Sequence, residues 1–348
     1  AGTALFFGGV STRVGRRFFA FEEVKAQREA SDKKDWFRID FHGNTGYNDG
    51  FWYEGWEGHQ ELVKLNLHND GVLDYIRRAV EFWMDEFGID GLRLDVAYLL
   101  PGWFMEYLRR VVRGRRQDFF LMGEVIHNQN FKENLTPDRL DSITNYECYK
   151  GLTSALNSDN LFEIEHSLER LFGAQPWCLY TGKNLFNFVD NHDVPRACTA
   201  LQDKRKLPAM YAILYSMPGI PCVYYGSECG AEGDKSDNDY RLRPAVSDID
   251  ENKCRDLTQL IAKLNAVRKA EPALQYGSYD KCVLNNKYMC FKREKGRDRI
   301  YCAFNISDGD VTVRVEEAEG TDLLSGEVRN LNDIYLPPFA VKLFKKNW

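Results

Sequence analysis

Apolar residues recur along this chain at two spacings. Val72, Ile76, Ala79, Val80, Trp83 and Phe87 fall at helical intervals, which predicts an amphipathic helix over about 71–87, stopped by Gly88. The stretch Gly91-Leu92-Arg93-Leu94-Asp95 follows and reads as a short apolar strand ending on a carboxylate. Side chains alternate along a strand, so Leu92 and Leu94 share one face and Arg93 and Asp95 the other. Further strands are expected at 5–10, 119–124, 141–146, 184–190 and 220–226. Helical segments are expected up to Lys34, from Pro101 to about Arg116, and over 149–172, 205–216 and 253–269. Residues 40–60 are rich in Gly, Asn, Asp, Tyr and Trp and read as a long loop, a feature that is usually functional.

Apolar strands alternating with helices are the signature of a parallel sheet. From about 275 the pattern changes to short alternating runs, such as Lys287–Phe291, Ile300–Phe304 and Val311–Val315, with turn signals at Asn285-Asn286, Asp308-Gly309 and Ser325-Gly326. This predicts a small antiparallel β-sandwich. The expected division is a barrel-like α/β domain over 1–273 and a sandwich over 274–348.

Composition narrows the function. A net charge of −6 argues against a nucleic-acid surface, which needs a basic footprint. No apolar run approaches the roughly 20 residues that a membrane-spanning helix needs, so no membrane partner is expected. The nine cysteines include no C-x-x-C, which favours free thiols in a reducing, cytoplasmic setting. The first residues lack an initiator Met and are too short for a signal peptide. The chain is therefore expected to start inside something larger or to be trimmed.

Polar residues gather just after the strands: Asp95, Glu124, His192, Asp193 and Glu228. In a β/α barrel that carboxyl end is where active sites sit. Three acids there could hold a metal, with His192 as the one near additional ligand. They could also cleave a glycosidic bond, with one carboxylate attacking, a second passing a proton and a third supporting the cationic transition state. Arg93 on the face of Asp95 suits an ionised nucleophile. The apolar approach Phe119–Gly123 suits Glu124 as a general acid, with Gly123 expected to leave room for substrate.

These residues resemble the motifs of the α-amylase family of retaining glycoside hydrolases. Gly91–Ala97 is similar to its fourth-strand motif, G-x-R-x-D-x-A. Gly123-Glu124-Val125 is similar to the fifth, and Phe188-Val189-Asp190-Asn191-His192-Asp193 to the seventh. Met217–Pro221 through Tyr225–Glu228 resembles the eighth strand, and Lys64-Leu65-Asn66 resembles part of the P-K-L-N motif of the neopullulanase and cyclomaltodextrinase branch, with Val63 in place of Pro. The resemblance implies a (β/α)8 TIM barrel followed by a C-terminal antiparallel β-sandwich. It implies Asp95 as nucleophile, Glu124 as acid/base and Asp193 as transition-state stabiliser, with Arg93 and His192 binding the nucleophile and the sugar. The implied partner is an α-glucan oligosaccharide, and the branch makes a homodimer an expectation. Tyr98-Leu99 replaces the Lys-His pair of many endo-acting amylases, which favours short or cyclic substrates.

The chain also departs from the family. Where the third-strand motif reads D-x-x-x-N-H, this sequence has Gly8, Thr12 and Arg13. Arg13 is then expected to contact the sugar in place of the histidine. No cofactor is required; a structural calcium is left open, with Thr12 a poor substitute for the family's Asn. The first two βα units of the barrel have no counterpart in the sequence. Two function classes follow: an α-glucan hydrolase, and a catalytically impaired homologue acting as a glucan-binding or protein-interaction scaffold.

Overall fold

The computed structural model describes residues 3–126, 131–236 and 239–348. The chain forms two compact units. Of the described residues, the first comprises those in 3–126 and 133–143, and the second those in 131–132 and 144–348.

The first unit is built on a parallel sheet. Its strands are β1 (Phe6–Gly9), β5 (Gly91–Leu94), β6 (Phe120–Gly123) and β7 (Ser142–Ile143), adjacent in that order. Between β1 and β5 the chain forms β2 (Arg13–Gly15), α1 (Phe19–Gln27), β3 (Gly55–Trp56), β4 (His59–Lys64) and α2 (Asp70–Phe87). The side chain of Asn69 caps α2 by accepting from the amides of Gly71 and Val72, and Gly88 ends it at φ 61°, a left-handed conformation that glycine adopts without strain. Val72, Ile76 and Val80 of the expected stripe are buried, whereas Phe87 is exposed. α3 (Gly102–Arg115) starts at Pro101, as expected.

Register explains β5. Arg93 lies opposite Gly8 of β1 and Met122 of β6, and Leu94 opposite Gly9 and Gly123. Leu92 and Leu94 are buried while Arg93 and Asp95 are part-exposed, as the alternation predicts. Gly91 is required here: a Cβ would come within 2.1 Å of the Phe6 ring and 2.6 Å of the Phe120 carbonyl oxygen.

The stretch expected as a long loop is more ordered than that. Trp52–Tyr53 pairs with Ile39–Asp40, and β3 pairs with β4, which in turn pairs antiparallel with β2, placing Arg13 opposite Lys64. Most of these strands are only two or three residues long and β4 also pairs with the distant β2, so no local alternation announces them. The helix expected up to Lys34 ends at Gln27 and gives way to two 3₁₀ turns.

Among the described residues no strand pairs with the outer edge of β1. Beside that edge Leu5, Phe6 and Val10 are exposed. A groove of about 390 Å³ opens there, lined by Val10, Val14, Phe18, Tyr75, Ile76 and Trp83 among others.

The second unit contains α4 (Tyr146–Asn157), α5 (Phe162–Phe172), β8 (Phe186–Phe188), α6 (Leu207–Ser216), β9 (Ile220–Cys222) and α7 (Arg255–Ala270). β8 and β9 pair in parallel, and α6 is buried on nearly every side. The chain then turns to antiparallel strands: β10 (Ser278–Leu284), β11 (Tyr288–Lys295), β12 (Asp298–Asn305), β13 (Val311–Val313), β14 (Glu319–Asp322), β15 (Val328–Asn330), β16 (Ile334–Leu336) and β17 (Val341–Lys346). Six of these form one sheet in the order β10-β11-β12-β17-β14-β15, and β13 pairs with β16. Tyr301, Val313, Val315, Ile334, Leu336 and Phe344 make its core. Arg293, fully buried, donates to the carbonyls of Ser278 (3.0 Å), Gly277 (3.0 Å) and Ser216, tying α6 to this sheet. All nine cysteines are free. No helix among the described residues is long and apolar enough to cross a membrane.

Candidate active site

Parallel pairing delivers two carboxylates to one end of the first unit's sheet. The hydrogen-bond ladder continues one residue past the strands: Asp95 N donates to Gly9 O (3.1 Å) and Glu124 N to Leu94 O (2.9 Å). Asp95 and Glu124 are thus neighbours at the carboxyl ends of β5 and β6.

Arg93 joins them. Its Nη1 lies 2.8 Å from Asp95 Oδ1 and its Nη2 2.7 Å from Glu124 Oε1. The other oxygen of Glu124 accepts from Val96 N (3.1 Å), and the residue is buried. Val96 sits at φ 49°, ψ 44°. This left-handed conformation is an outlier for a β-branched residue and marks strain beside the site. The other oxygen of Asp95, Oδ2, is held by Arg13 Nη2 at 2.6 Å. Arg13 lies over the Trp56 ring, 4.1 Å from its centroid, and donates to Thr12 Oγ1 (3.3 Å). Burial pushes the Tyr98 phenol up, and the carboxylates of Glu57, Glu124 and Asp95 add to the shift.

Gly123 does not serve the expected purpose. A Cβ there would meet Ala97 Cβ and Leu140 Cδ1, each at 2.8 Å, so the space beside it is filled by packing rather than left for substrate.

In the second unit His192 Nε2 lies 3.1 Å from Asp193 Oδ2. Asn191 Oδ1 accepts from Asp193 N (2.8 Å), which orients the turn. Arg243, which the sequence pattern did not flag, donates to Asp193 Oδ1 (3.0 Å) and to the His192 carbonyl (3.1 Å). The hydrogen bond from His192, with the charges of His192 and Arg243, holds the Asp193 carboxyl below the usual carboxylate range. Asp190, close by in sequence, is a different case. It is buried, accepts from Ala197 N (2.8 Å) and Ser227 Oγ (2.5 Å), and burial pushes its carboxyl up. These contacts make Asp190 a structural anchor. The structure therefore brings Arg13, Arg93, Asp95 and Glu124 together in the first unit, and His192 and Asp193 together in the second.

The sequence profile of the alpha-amylase catalytic domain matches residues 2–273. The chain belongs to the alpha-amylase family. A cyclomaltodextrinase from a Bacillus species is 28% identical over 327 residues, covering 90% of this chain and 56% of the relative. The intracellular maltogenic amylase of Bacillus subtilis (strain 168) is 28% identical over 321 residues, covering 91% of this chain and 53% of the relative. The chain thus spans just over half the length of these curated relatives. Among solved alpha-amylase-like structures, the cyclic alpha-maltosyl-(1→6)-maltose hydrolase of Arthrobacter globiformis superposes with a TM-score of 0.83 at 23% identity, covering 99% of this chain and 76% of the other. The debranching enzyme of Nostoc punctiforme gives 0.81 at 24%, covering 99% and 76%. These likenesses carry the family fold, a TIM barrel with a C-terminal sheet domain.

Proposed function

We propose that this chain carries retaining glycosidase chemistry on α-glucosidic, mainly α-1,4, bonds of maltooligosaccharides and cyclodextrins. The observation that carries the reading is Arg93, which binds Asp95 and Glu124 at the ends of adjacent parallel strands. Double displacement needs two neighbouring carboxyl groups with different tasks. Asp95 attacks the anomeric carbon; Glu124 gives its proton to the departing oxygen, then takes one from the water that releases the sugar. Asp193 supports the cationic transition state. His192 and Arg13 contact the sugar. The substrate class rests on the cyclomaltodextrinase and maltogenic amylase relatives.

The finer reading of the fold is that residues 1–273 form the barrel domain and 274–348 a separate C-terminal domain. The mechanism calls on no cofactor. A calcium at the third-strand position does not fit the residues present, because Thr12 Oγ1 faces the guanidinium of Arg13.

The test is release of reducing sugar from maltooligosaccharide or cyclodextrin, with the anomer read by proton NMR before mutarotation. The α anomer is expected. Release no greater than from an Asp95→Asn control would sink the reading.

A further inference from the structure

Forming a glycosyl–enzyme bond requires one oxygen of the nucleophile to be free to reach the anomeric carbon. In this chain neither oxygen of Asp95 is free: Arg93 holds Oδ1 at 2.8 Å and Arg13 holds Oδ2 at 2.6 Å. One hold has to be released. Arg93 sits on the same strand as Asp95 and also binds Glu124, so moving it would disturb both carboxylates. Arg13 comes from β2, a different strand, and binds no other carboxylate in the described structure.

The Arg13 contact is also built rather than casual. The guanidinium lies on the Trp56 ring, is anchored to Thr12 Oγ1, and rises from a backbone fixed by β2–β4 pairing. The side chains of Arg13 and Asp95 are only 15% and 14% exposed, so solvent screening of the pair is weak.

We propose that Arg13 caps the attacking oxygen of Asp95 in the free chain, and that an entering sugar must draw the guanidinium onto its own hydroxyl groups before the bond can form. The proposal rests on Asp95 being the nucleophile. In the step itself, Asp95 Oδ2 bonds to the anomeric carbon, the bond to the glycosidic oxygen breaks, and that oxygen takes the proton of Glu124. Arg13 stays protonated throughout and only changes partner. Arg13 is thereby a selectivity device as well: a ring lacking the hydroxyl that accepts from it cannot lift the cap, and loses rate more than affinity.

The experiment is single-turnover trapping of the full chain by an activated fluoro-sugar, a fluoro-α-glucosyl fluoride. Intact mass spectrometry follows the adduct and peptide mapping locates it. Wild type is compared with Arg13→His, Arg13→Leu and Trp56→Leu, each checked for folding by circular dichroism. The trapping rate at saturating reagent is expected to rise about tenfold in both Arg13 variants, the equivalent of about 1.4 kcal/mol, while the apparent affinity weakens. Trp56→Leu, which loosens the cap without removing it, should move the same way by less, and it keeps the test alive if an Arg13 variant misfolds. A variant that traps while wild type does not supports the cap in its strongest form. Adduct on Asp95 at equal or lower rates in the Arg13 variants overturns the cap and leaves the nucleophile reading standing. No adduct in any form, or adduct on another residue, overturns both.

Discussion

Arg93 Nη2 lies 2.7 Å from Glu124 Oε1, while its Nη1 reaches Asp95 Oδ1. One guanidinium therefore fixes the spacing of the two carboxylates proposed to share the reaction. A planar fork sets that spacing rigidly, whereas an ammonium bridges two carboxylates without a fixed geometry. Arg93→Lys should accordingly behave more like Arg93→Leu than like wild type. We expect either change to lower kcat on maltotriose about 100- to 1,000-fold, the scale seen when one preorganised electrostatic partner is removed, with KM changing much less. A fall confined to KM would place Arg93 in ground-state binding instead.

Gly123→Ala should act through Glu124. The added methyl would meet Ala97 and Leu140 at 2.8 Å in a packed region, and Glu124 is the next residue. Overpacking of this kind costs about 1–3 kcal/mol and would move the acid/base. We expect a lower urea midpoint together with a lower kcat. An unchanged midpoint with a weakened KM would restore the view that Gly123 makes room for substrate.

What the sequence made legible follows from how each residue gets its place. Leu92, Arg93, Leu94 and Asp95 were readable because strand alternation is local, and the structure reproduces it. β4 was not, because its pairing with β2 joins residues about fifty positions apart, and β3 is only two residues long. Gly123 was readable as a necessary glycine but not for the right reason, since Leu140, which fills its side, lies beyond the next helical turn of the chain. Arg243 was missed for a similar reason. It reaches Asp193 from fifty positions further along the sequence, beyond α6 and β9, and no motif marks it. Arg13 was flagged as a departure from the family pattern, yet only coordinates could show that it faces the carboxylate itself.

The state of Asp193 gives a pH dependence. Its carboxyl is held below the ordinary range chiefly by the hydrogen bond from His192, helped by Arg243. The unfolded chain binds that proton more readily, so the interaction adds stability above the ordinary carboxylate pKa of about 3.9 and loses it as pH falls from there toward the lower folded value. The side chain is 34% exposed, and screening keeps the contribution to at most about 1 kcal/mol. Arg243→Gln should therefore lower stability slightly at pH 6 and flatten the acid limb of a stability–pH curve. Equal losses at pH 6 and pH 2.5 would show that Arg243 acts through packing instead.

The groove beside β1 makes the free chain sticky. Val10, which lines the groove, is 51% exposed, next to a strand edge with which no described strand pairs. Exposed apolar surface of this kind binds hydrophobic dyes and favours self-association. We expect the chain to enhance anilinonaphthalene sulfonate fluorescence in its native state, and Val10→Lys to reduce the enhancement without lowering the melting temperature. A native chain that leaves the dye dark would mean that the groove is covered in solution.

Arg293 holds the second unit together from inside. It is fully buried and donates to three carbonyls, those of Ser216, Gly277 and Ser278, two of which start the antiparallel sheet while the third ends α6. No carboxylate pairs with it among the described residues; the carbonyl dipoles carry the whole compensation. Arg293→Met would keep the apolar stem but leave three acceptors without a donor, each costing about 1–3 kcal/mol when buried. We expect a loss of at least about 3 kcal/mol by that accounting, read as a lower guanidinium midpoint. Arg293→Lys should recover little, because one ammonium cannot reach three acceptors in a fork. The change in m-value then separates two outcomes. An unchanged m means that helix and sheet unfold together, as a shared arginine requires, whereas a reduced m with a second transition means that the C-terminal sheet holds without this link.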